Sequence, residues 1–202
     1  MKTVPQSATC LAYTPYPLQL IERAGRVCYK SESRITLNSA VTFIRMILKR
    51  GHESVLEHAS ATFHIVTDRG ISHEIVRHRL ASYSQESTRY CNYGSDDLTF
   101  IDPGFRRRDN EECWERSCLA AEEAYKRILQ HGTPQWARNV LPNSLKTEIV
   151  MTANFREWRH FLRMRGAPDA HHQVQDIARM IHDWFSENFP VIVEDLGIEG
   201  KE

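Results

Sequence analysis

The sequence has no excess of charge of either sign and no long hydrophobic run. Its 202 residues carry 26 Lys and Arg against 26 Asp and Glu, so the formal net charge is zero. A balanced chain creates no whole-molecule field that would select nucleic acid or a membrane surface as a partner. The first nine residues also lack the apolar centre of a signal peptide, and no stretch is long enough to span a bilayer. We therefore expect a cytoplasmic protein with neither nucleic acid nor a membrane as its partner.

Cysteine and glycine are scattered in a way that excludes several common sites. The odd number of cysteines and the absence of any CxxC pair predict buried, reduced thiols rather than a disulfide framework or a zinc ribbon. The five are Cys10, Cys28, Cys91, Cys113 and Cys118. The nine glycines form neither GxGxxG nor GxxxxGK followed by Ser or Thr, which removes two common phosphate-binding loops. A nucleotide site would therefore use side chains and other backbone geometry.

Hydrophobic periodicity predicts many helices and few strands. With 41% hydrophobic and 26% charged residues, the chain has an ordinary globular composition and is long enough to bury a core. The periodic segments are helices at residues 38–49, 71–79, 109–130, 154–165 and 170–188, and strands at 61–67 and 145–151. Without a regular βαβ alternation, this set predicts an α+β fold. We expect one helix-rich domain over residues 1–202 with a small antiparallel or mixed sheet.

Ten histidines suggest a metal centre, but their spacing argues against one. His73 and His78 nearly complete an HExxH motif with Glu74, yet they are five residues apart, which is about 140° around a helix. One ion cannot take both ligands from one helix face. No GxSxG motif marks a serine hydrolase either. We therefore expect no protein-built metal site.

Two arginine-rich segments raise the alternative of nucleic-acid binding. The run at residues 106–108 stands next to acidic residues, which is typical of a solvated loop. Residues 77–88 combine three cationic positions with five hydroxyl side chains, and Arg89 and Tyr90 follow them. Guanidinium forks and short hydroxyls suit phosphate oxygens, although an exposed polar loop has the same composition. Composition alone leaves open an anion site, a non-catalytic nucleotide- or RNA-binding module, and a plain loop.

The order of residues in this segment is more informative than its composition. Arg77, His78 and Arg79 are followed, after seven residues, by Ser87, and this RHRx7S pattern resembles the signature motif of the flavin-dependent thymidylate synthases. Three further segments resemble that family in the same order, and they are residues 51–58, 137–142 and 154–165. Four ordered segments in a chain of the expected size make the resemblance specific.

The resemblance implies both a fold and a reaction. It implies the α+β fold of the flavin-dependent thymidylate synthases and the reductive methylation of dUMP to dTMP. Methylenetetrahydrofolate would give the carbon, and FAD reduced by NADPH would give the hydride. The resemblance also implies a homotetramer whose subunits share active sites, with no Rossmann domain and no cysteine nucleophile.

The resemblance also implies roles for individual residues. Arg165 would be the catalytic residue, a fixed cation near N3 or O4 of the uracil that favours the electron-rich pyrimidine. The dUMP-binding positions would be Glu74, Ile75, Val76, Arg77, Gln85, Glu86, Ser87, Thr88, Arg89, Arg138 and Arg165. The FAD-binding positions would be Ser54, Arg77, His78, Arg79, Gln85, Asn154, Phe155, Arg156 and His160. His52 would lie near the flavin or the folate.

Three places differ from the family pattern. Gln85 and His160 stand where some members carry an acidic residue and an asparagine, and residues 166–172 are divergent. Ser87 and Arg89 would bind the phosphate of a nucleotide and do not identify its base. A relative that methylates another pyrimidine nucleotide is therefore an open alternative.

Overall fold

The computed structural model describes residues 1–95 and 97–198, and it has the helix-rich α+β architecture that the sequence predicts. The helices are α1 (Pro17–Cys28), α2 (Ser39–Lys49), α3 (Arg69–Ile75), α4 (Arg108–Leu129), α5 (Pro134–Ala137), α6 (Phe155–Arg165) and α7 (His172–Asn188). The strands are β1 (Lys2–Val4), β2 (Ser7–Tyr13), β3 (Ser60–Asp68), β4 (Ala81–Gln85), β5 (Thr99–Ile101) and β6 (Lys146–Asn154). Short 3₁₀ segments cover Glu32–Arg34, Glu53–His58, Arg138–Val140 and Pro190–Ile192.

Four strands form one sheet in the order β2-β3-β6-β4, and β1 pairs with β5 in parallel. Along β3 and β6 buried positions alternate with half-buried ones, because successive side chains of a strand point to opposite faces. The Arg69 N–H donates to the Leu145 carbonyl, whereas the Phe155 N–H donates to the Ala59 carbonyl, so β3 and β6 run antiparallel. This pairing places the start of α6 beside the start of β3.

The chain folds as two compact units. The first comprises residues 1–7, 65–77 and 84–149. Its core is built around Phe100 and Tyr125, both fully buried. The prediction of a single domain over residues 1–202 stays a prediction.

The second unit comprises residues 8–64, 78–83 and the chain from Val150 onward. Its core is rich in aromatic rings that meet at tilted or edge-to-face angles. The ring centroids of Phe63 and Trp158 are 5.0 Å apart, and those of Phe155 and Phe185 are 5.2 Å apart. Edge-to-face pairs of this kind stabilise a core beyond the area that they bury. They fix α6 and α7 against β3.

Helices α1 and α2 pack closely in the second unit because α1 carries a glycine at their contact. A Cβ atom at Gly25 would stand 2.5 Å from Cζ of Phe43, which is closer than real Cβ contacts come. The Arg26 guanidinium lies over the same ring, 4.6 Å from its centroid. The aromatic ring of α2 therefore fills the space that a side chain at position 25 would need.

Most of the predicted elements are confirmed, but the predicted helix at residues 71–79 is wrong at both ends. Helix α3 begins at Arg69, because the side chain of Asp68 accepts a hydrogen bond from the Ile71 N–H at 2.7 Å. It ends at Ile75, and the signature residues that follow it are outside the helix. Helix α7 begins at His172 rather than at residue 170, since His171 caps it.

The expected state of the cysteines is confirmed in part. All five are free, but only Cys118 is buried, whereas Cys28 and Cys113 are exposed. The arginine run at residues 106–108 is exposed, and two of its members pair with Asp109 and Glu112, as a solvated segment should. Among the described residues, no helix combines the length and the apolar content required to cross a bilayer.

Candidate functional site

Helix α6 carries several of the predicted ligand residues, and Asn154 fixes its first turn. The Asn154 side chain accepts a hydrogen bond from the Glu157 N–H at 2.8 Å, which satisfies one of the unpaired amides of the helix. Trp158 is fully buried and locks one face of α6 into the core. With that face fixed, His160 is exposed and Arg165 is half-buried at the last turn.

His78 bridges Glu157 and Arg165 within the second unit. Its ring is almost fully buried, with Nδ1 3.1 Å from Oε1 of Glu157 and Nε2 3.1 Å from Nε of Arg165. The Tyr83 hydroxyl donates to the His78 carbonyl at 2.6 Å, which fixes the main chain there. The structure thus joins His78 and Arg165, two residues that the family resemblance assigned to different ligands.

The surroundings of His78 keep its imidazole neutral. Burial, together with the nearby Arg165 and His160, lowers the pKa of His78 to about 4. The His160 ring lies edge-on to the His78 ring, with centroids 5.4 Å apart. Burial also raises the pKa of Glu157, although His160 acts in the opposite direction. Burial and the charge of Glu157 raise the pKa of Tyr83 to about 12, so this hydroxyl keeps its proton as well.

In the first unit, two buried hydroxyls hold Gln85. Its amide nitrogen donates to Oγ of Ser72 at 2.9 Å and to Oγ1 of Thr147 at 3.2 Å. Ser72 in turn donates its proton to the Arg69 carbonyl at 2.8 Å, so its oxygen accepts from Gln85. An amide suits this position, because its N–H groups donate to both hydroxyl oxygens, whereas an ionised carboxylate has no proton to donate.

The carboxylate of Glu86 is engaged inside the first unit. The Tyr93 hydroxyl donates to its Oε1 at 2.5 Å, and Lys146 donates to its Oε2 at 3.1 Å. Burial and the hydrogen bond to Glu86 raise the pKa of Tyr93 far above its usual range. The Glu86 N–H also donates to the Glu148 carbonyl at 2.9 Å. Glu86 therefore anchors the segment that carries the next predicted dUMP residues.

The residues after Glu86 form a turn that presents Arg89. The two amides that follow Arg89 donate to the Ser87 carbonyl at 3.1 and 2.9 Å, and Thr88 is buried beneath the turn. Nε of the exposed Arg89 donates to Oε1 of Gln135 at 3.3 Å. Gln135 precedes the exposed Arg138 by three residues in one continuous helical segment. The structure therefore brings Arg89 next to the segment that carries Arg138.

The exposed FAD candidates are Ser54, Arg77, Arg79 and Arg156, together with His160. Arg156 pairs with Glu57 at 2.5 Å, which ties the first turn of α6 to the 3₁₀ segment that contains Ser54. Guanidinium and hydroxyl groups are the donors that a diphosphate requires. The members of this set in the second unit, which are Ser54, Arg79, Arg156 and His160, therefore offer donor groups of the kind that a dinucleotide such as FAD requires.

Some predicted positions do not offer a side chain to a ligand. Ile75 and Phe155 are fully buried in the hydrophobic core, while Glu74 and Val76 are half-buried. A contact between Ile75 or Phe155 and a ligand would have to use the main chain. Burial of Ile75 instead holds the C-terminal end of α3 in place, and burial of Phe155 holds the start of α6.

Sequence reasoning missed Glu157 and a buried arginine on the same helix. Arg159 is fully buried, and its guanidinium binds both carboxylate oxygens of Asp195 at 2.7 Å and one oxygen of Glu53 at 3.2 Å. Burial tends to raise the pKa of Glu53, but Arg159 and Arg163 together outweigh it and lower that pKa. The sequence does hold a signal, because Arg159 stands four residues after buried Phe155 on the apolar stripe of α6.

His78 and two side chains near it also have the arrangement of a possible metal site. His78, Glu157 and His160 place potential ligand atoms within 4.8 Å of one another. However, both ring nitrogens of His78 are engaged, and the permanent charge of Arg165 stands beside it. The geometry favours a hydrogen-bonded chain over a bound cation.

Comparison with known protein sequences relates this geometry to a family. The sequence profile described as "Thymidylate synthase complementing protein" matches residues 9–191. The flavin-dependent thymidylate synthase of Geobacter sulfurreducens is 34% identical over 197 residues, which cover 93% of this chain and 85% of that protein. The flavin-dependent thymidylate synthase of Pyrococcus furiosus is 36% identical over 182 residues, which cover 84% and 75% of the two chains.

Solved structures agree with the sequence comparison. Thymidylate Synthase X (ThyX) from Helicobacter pylori, with FAD and dUMP, is 26% identical with a TM-score of 0.79, covering 95% of this chain and 98% of that one. The UMP/dUMP methylase PolB from Streptomyces cacaoi, bound with 5-Br dUMP, is 25% identical with a TM-score of 0.80, covering 96% of each chain. This chain therefore belongs to the family of flavin-dependent thymidylate synthases, as its four ordered motifs predict.

Proposed function

We propose that this protein catalyses the reductive methylation of dUMP to dTMP, with methylenetetrahydrofolate as carbon donor and FAD, reduced by NADPH, as hydride source. The observation that carries the proposal is family membership combined with an intact signature. Arg77, His78, Arg79 and Ser87 occupy the four fixed positions of the motif. The related H. pylori structure contains FAD and dUMP, which supports the same two ligands here.

We assign the dUMP phosphate to Ser87, Arg89 and Arg138. Two exposed guanidinium groups match the charge of a phosphate dianion, and the Ser87 hydroxyl adds a short donor. Gln135 holds Arg89 beside the segment of Arg138, so part of the ordering of these side chains precedes binding. Gln85, Glu86 and Thr88 keep the turn in shape.

We assign the activation of the uracil to Arg165. Its guanidinium is permanently charged and carries no proton in the reaction, so its effect is electrostatic. A cation near N3 or O4 favours the ionised pyrimidine, whose negative charge makes C5 electron-rich enough to attack the one-carbon unit. The hydrogen bond to His78 sets the plane of this guanidinium before dUMP arrives.

We assign FAD to the exposed donors of the signature segment and of α6. Arg77, Arg79 and Arg156 would hold its diphosphate, with Ser54 and His160 as further hydrogen-bonding groups. Bound flavin supplies the hydride that completes the methyl group. The residues around it bind, orient and exclude water, and none of the five cysteines is required as a nucleophile.

Methylenetetrahydrofolate, NADPH and a homotetramer complete the proposal. A chain of 202 residues must handle three large ligands, and subunits that share active-site walls would supply the missing surface. Large apolar side chains beside the proposed ligand residues support such an assembly. Leu80 is 75% exposed next to Arg79, and Tyr90 is 79% exposed next to Arg89.

Replacing Arg165 tests the proposed reaction. Arg165→Ala should lower kcat for dTMP formation by about 100-fold or more, because one preorganised charge is lost from the transition state. Visible absorbance should show that the variant still binds FAD. Arg127→Ala is the control, since Arg127 is exposed and pairs with Glu123 one turn away in α4.

Wild-type turnover by the Arg165→Ala variant would contradict the catalytic assignment. A protein that cannot be loaded with FAD at all would contradict the proposed reaction. If such a colourless protein bound single-stranded RNA tightly and in a salt-sensitive manner, the RNA-binding module would be the better description.

A second candidate substrate is UMP, because the PolB structure that resembles this chain belongs to a UMP/dUMP methylase. The proposed phosphate contacts are the same for both nucleotides, so they do not discriminate the sugar. Comparison of kcat/KM for dUMP, UMP and dCMP decides the question. We expect dUMP to be preferred, and a preference for either competitor would overturn this choice of substrate.

A further inference from the structure

Glu157 is a buried carboxylate to which neither the motif nor the proposed reaction gives a role. Its side chain is 6% exposed, and a carboxylate in such a place needs a hydrogen-bonding partner to be tolerated. Its partner is Nδ1 of His78, at 3.1 Å. The other ring nitrogen of His78 faces Arg165, which links Glu157 to the proposed catalytic cation.

The chemistry of arginine fixes the direction of both hydrogen bonds that link Glu157, His78 and Arg165. An arginine side chain has donors and no acceptor, so Nε2 of His78 must accept from Nε of Arg165. The proton of a neutral His78 then lies on Nδ1. Glu157 must accept that proton through Oε1, whatever its own protonation state. The alternative tautomer would point an N–H of His78 at an N–H of Arg165.

The packing around His78 leaves its ring little freedom to move away from Glu157 and Arg165. Its carbonyl accepts from the Tyr83 hydroxyl, and its ring packs against Phe161 with centroids 4.9 Å apart and against His160 with centroids 5.4 Å apart. A ring held on these sides can change its tautomer far more easily than its position. The tautomer therefore decides whether Nε2 of His78 can accept a hydrogen bond from Nε of Arg165.

We propose that Glu157 is a positioning residue for Arg165, acting through His78. By accepting the Nδ1 proton, Glu157 selects the tautomer whose Nε2 orients the Arg165 guanidinium toward the pyrimidine base. This inference rests on the proposed function of Arg165. It is an arrangement of acid, neutral imidazole and cation, in which the imidazole transfers no proton.

Two substitutions of Glu157 separate orientation from simple loss of a buried side chain. Glu157→Ala removes the acceptor, and we expect kcat for dTMP formation to fall roughly 10- to 100-fold, as for outer-shell partners of functional histidines. The KM for dUMP should change less, because the phosphate contacts remain. Glu157→Gln keeps an acceptor oxygen, and the Arg165 donor selects the amide orientation that uses it, so this variant should recover most of kcat.

The control is a second buried glutamate that has no connection to Arg165. Glu122 of α4 is buried and pairs with Lys126 at 2.7 Å and with the amino terminus at 3.0 Å. Glu122→Ala should destabilise the protein without changing kcat at temperatures where it stays folded. A fall in kcat confined to Glu157→Ala therefore reports on Arg165 and not on stability.

The tautomer of His78 provides a readout that does not depend on the reaction. In the FAD-loaded wild type, ¹⁵N NMR of labelled histidine should find the proton on Nδ1 of His78, and Glu157→Ala should move it toward Nε2. A wild-type proton on Nε2 would overturn the proposal even if no Glu157 variant folded. Full kcat in Glu157→Ala, alongside loss in Arg165→Ala, would overturn it as well. If instead Arg165→Ala is fully active, the catalytic role of Arg165 is wrong and the positioning role of Glu157 is wrong with it, whereas the proposed reaction stands.

Discussion

At the scale of a single residue, His78 shows how a fold can hold an imidazole neutral. An unperturbed histidine has a pKa near 6.5, whereas burial beside Arg165 and His160 lowers the pKa of His78 to about 4. Between these two values the unfolded chain binds a proton that the folded protein does not bind. Acid therefore favours the unfolded state over this interval, and the stability that depends on neutral His78 is lost as the pH falls.

We expect His78 to lower the free energy of unfolding by up to about 3 kcal/mol as the pH falls from 6.5 to 4. Urea unfolding across this range would measure it, and His78→Gln should remove this part of the pH dependence. Protonation would also turn Nε2 into a donor facing Arg165, so the orientation of the cation should be lost only below about pH 4. An NMR titration midpoint of His78 near 6.5 would contradict both expectations.

At the scale of elements, an ion pair between buried Arg159 and partly exposed Asp195 fastens the C-terminal segment to α6. Arg159 is fully buried and grips Asp195, and the hydrogen bond from Arg159 holds the pKa of that carboxyl below its usual range. Arg159 also donates to the Ile192 carbonyl in the 3₁₀ segment just before Asp195. Removing Asp195 would leave a buried guanidinium with less compensation.

We expect Asp195→Ala to lower the free energy of unfolding by about 2 kcal/mol. This is less than the loss typical of a fully buried pair, because the Asp195 side chain is nearly half exposed. The adjacent Glu194 offers a matched control, since it pairs with Arg45 at 2.6 Å in solvent. Glu194→Ala should change stability little. Equal losses in the two variants, measured by urea unfolding at neutral pH, would show that burial of Arg159 does not matter.

The elements that the sequence predicts best are those with a regular apolar stripe. Helices α2 and α6 are found where Ile44 and Phe161 belong to such a stripe, because the helical spacing of apolar residues indicates which face of the helix is buried. Strand β4 is absent from the sequence-based prediction, since Ala81–Gln85 consists of small, hydroxyl and amide residues with no apolar alternation. Its place in the sheet depends on pairing with a distant strand, which no local pattern records.

The site, like the fold, was predictable only where a local sequence pattern indicates it. The RHRx7S spacing identified Arg77 and Ser87, but it could not reveal that a glutamate 79 residues after His78 completes the bonds of that histidine. The spacing of Asn154 and Glu157 is that of a helix capping box, which would assign the Glu157 side chain to the helix end. In the folded protein the Glu157 side chain instead forms a hydrogen bond with Nδ1 of His78.

At the scale of the whole molecule, we expect assembly and cofactor retention to be coupled. Trp136 is 71% exposed near the proposed phosphate residue Arg138, and a side chain of this size usually finds a partner surface. Light scattering at working concentration should give four times the 23.5 kDa mass of one chain. On dilution, mass and bound FAD should fall together. A monomer that keeps FAD would contradict the proposed sharing of sites.

The contact between α1 and α2 has a consequence for anyone who engineers this protein. A glycine in the middle of an α-helix is a standard target for replacement by alanine, which ordinarily gains up to about 1 kcal/mol. At Gly25 the same replacement would drive a methyl group into the Phe43 ring, which would have to shift. A design rule applied to helix propensity alone would therefore choose as an improvement a substitution for which this interface has no room.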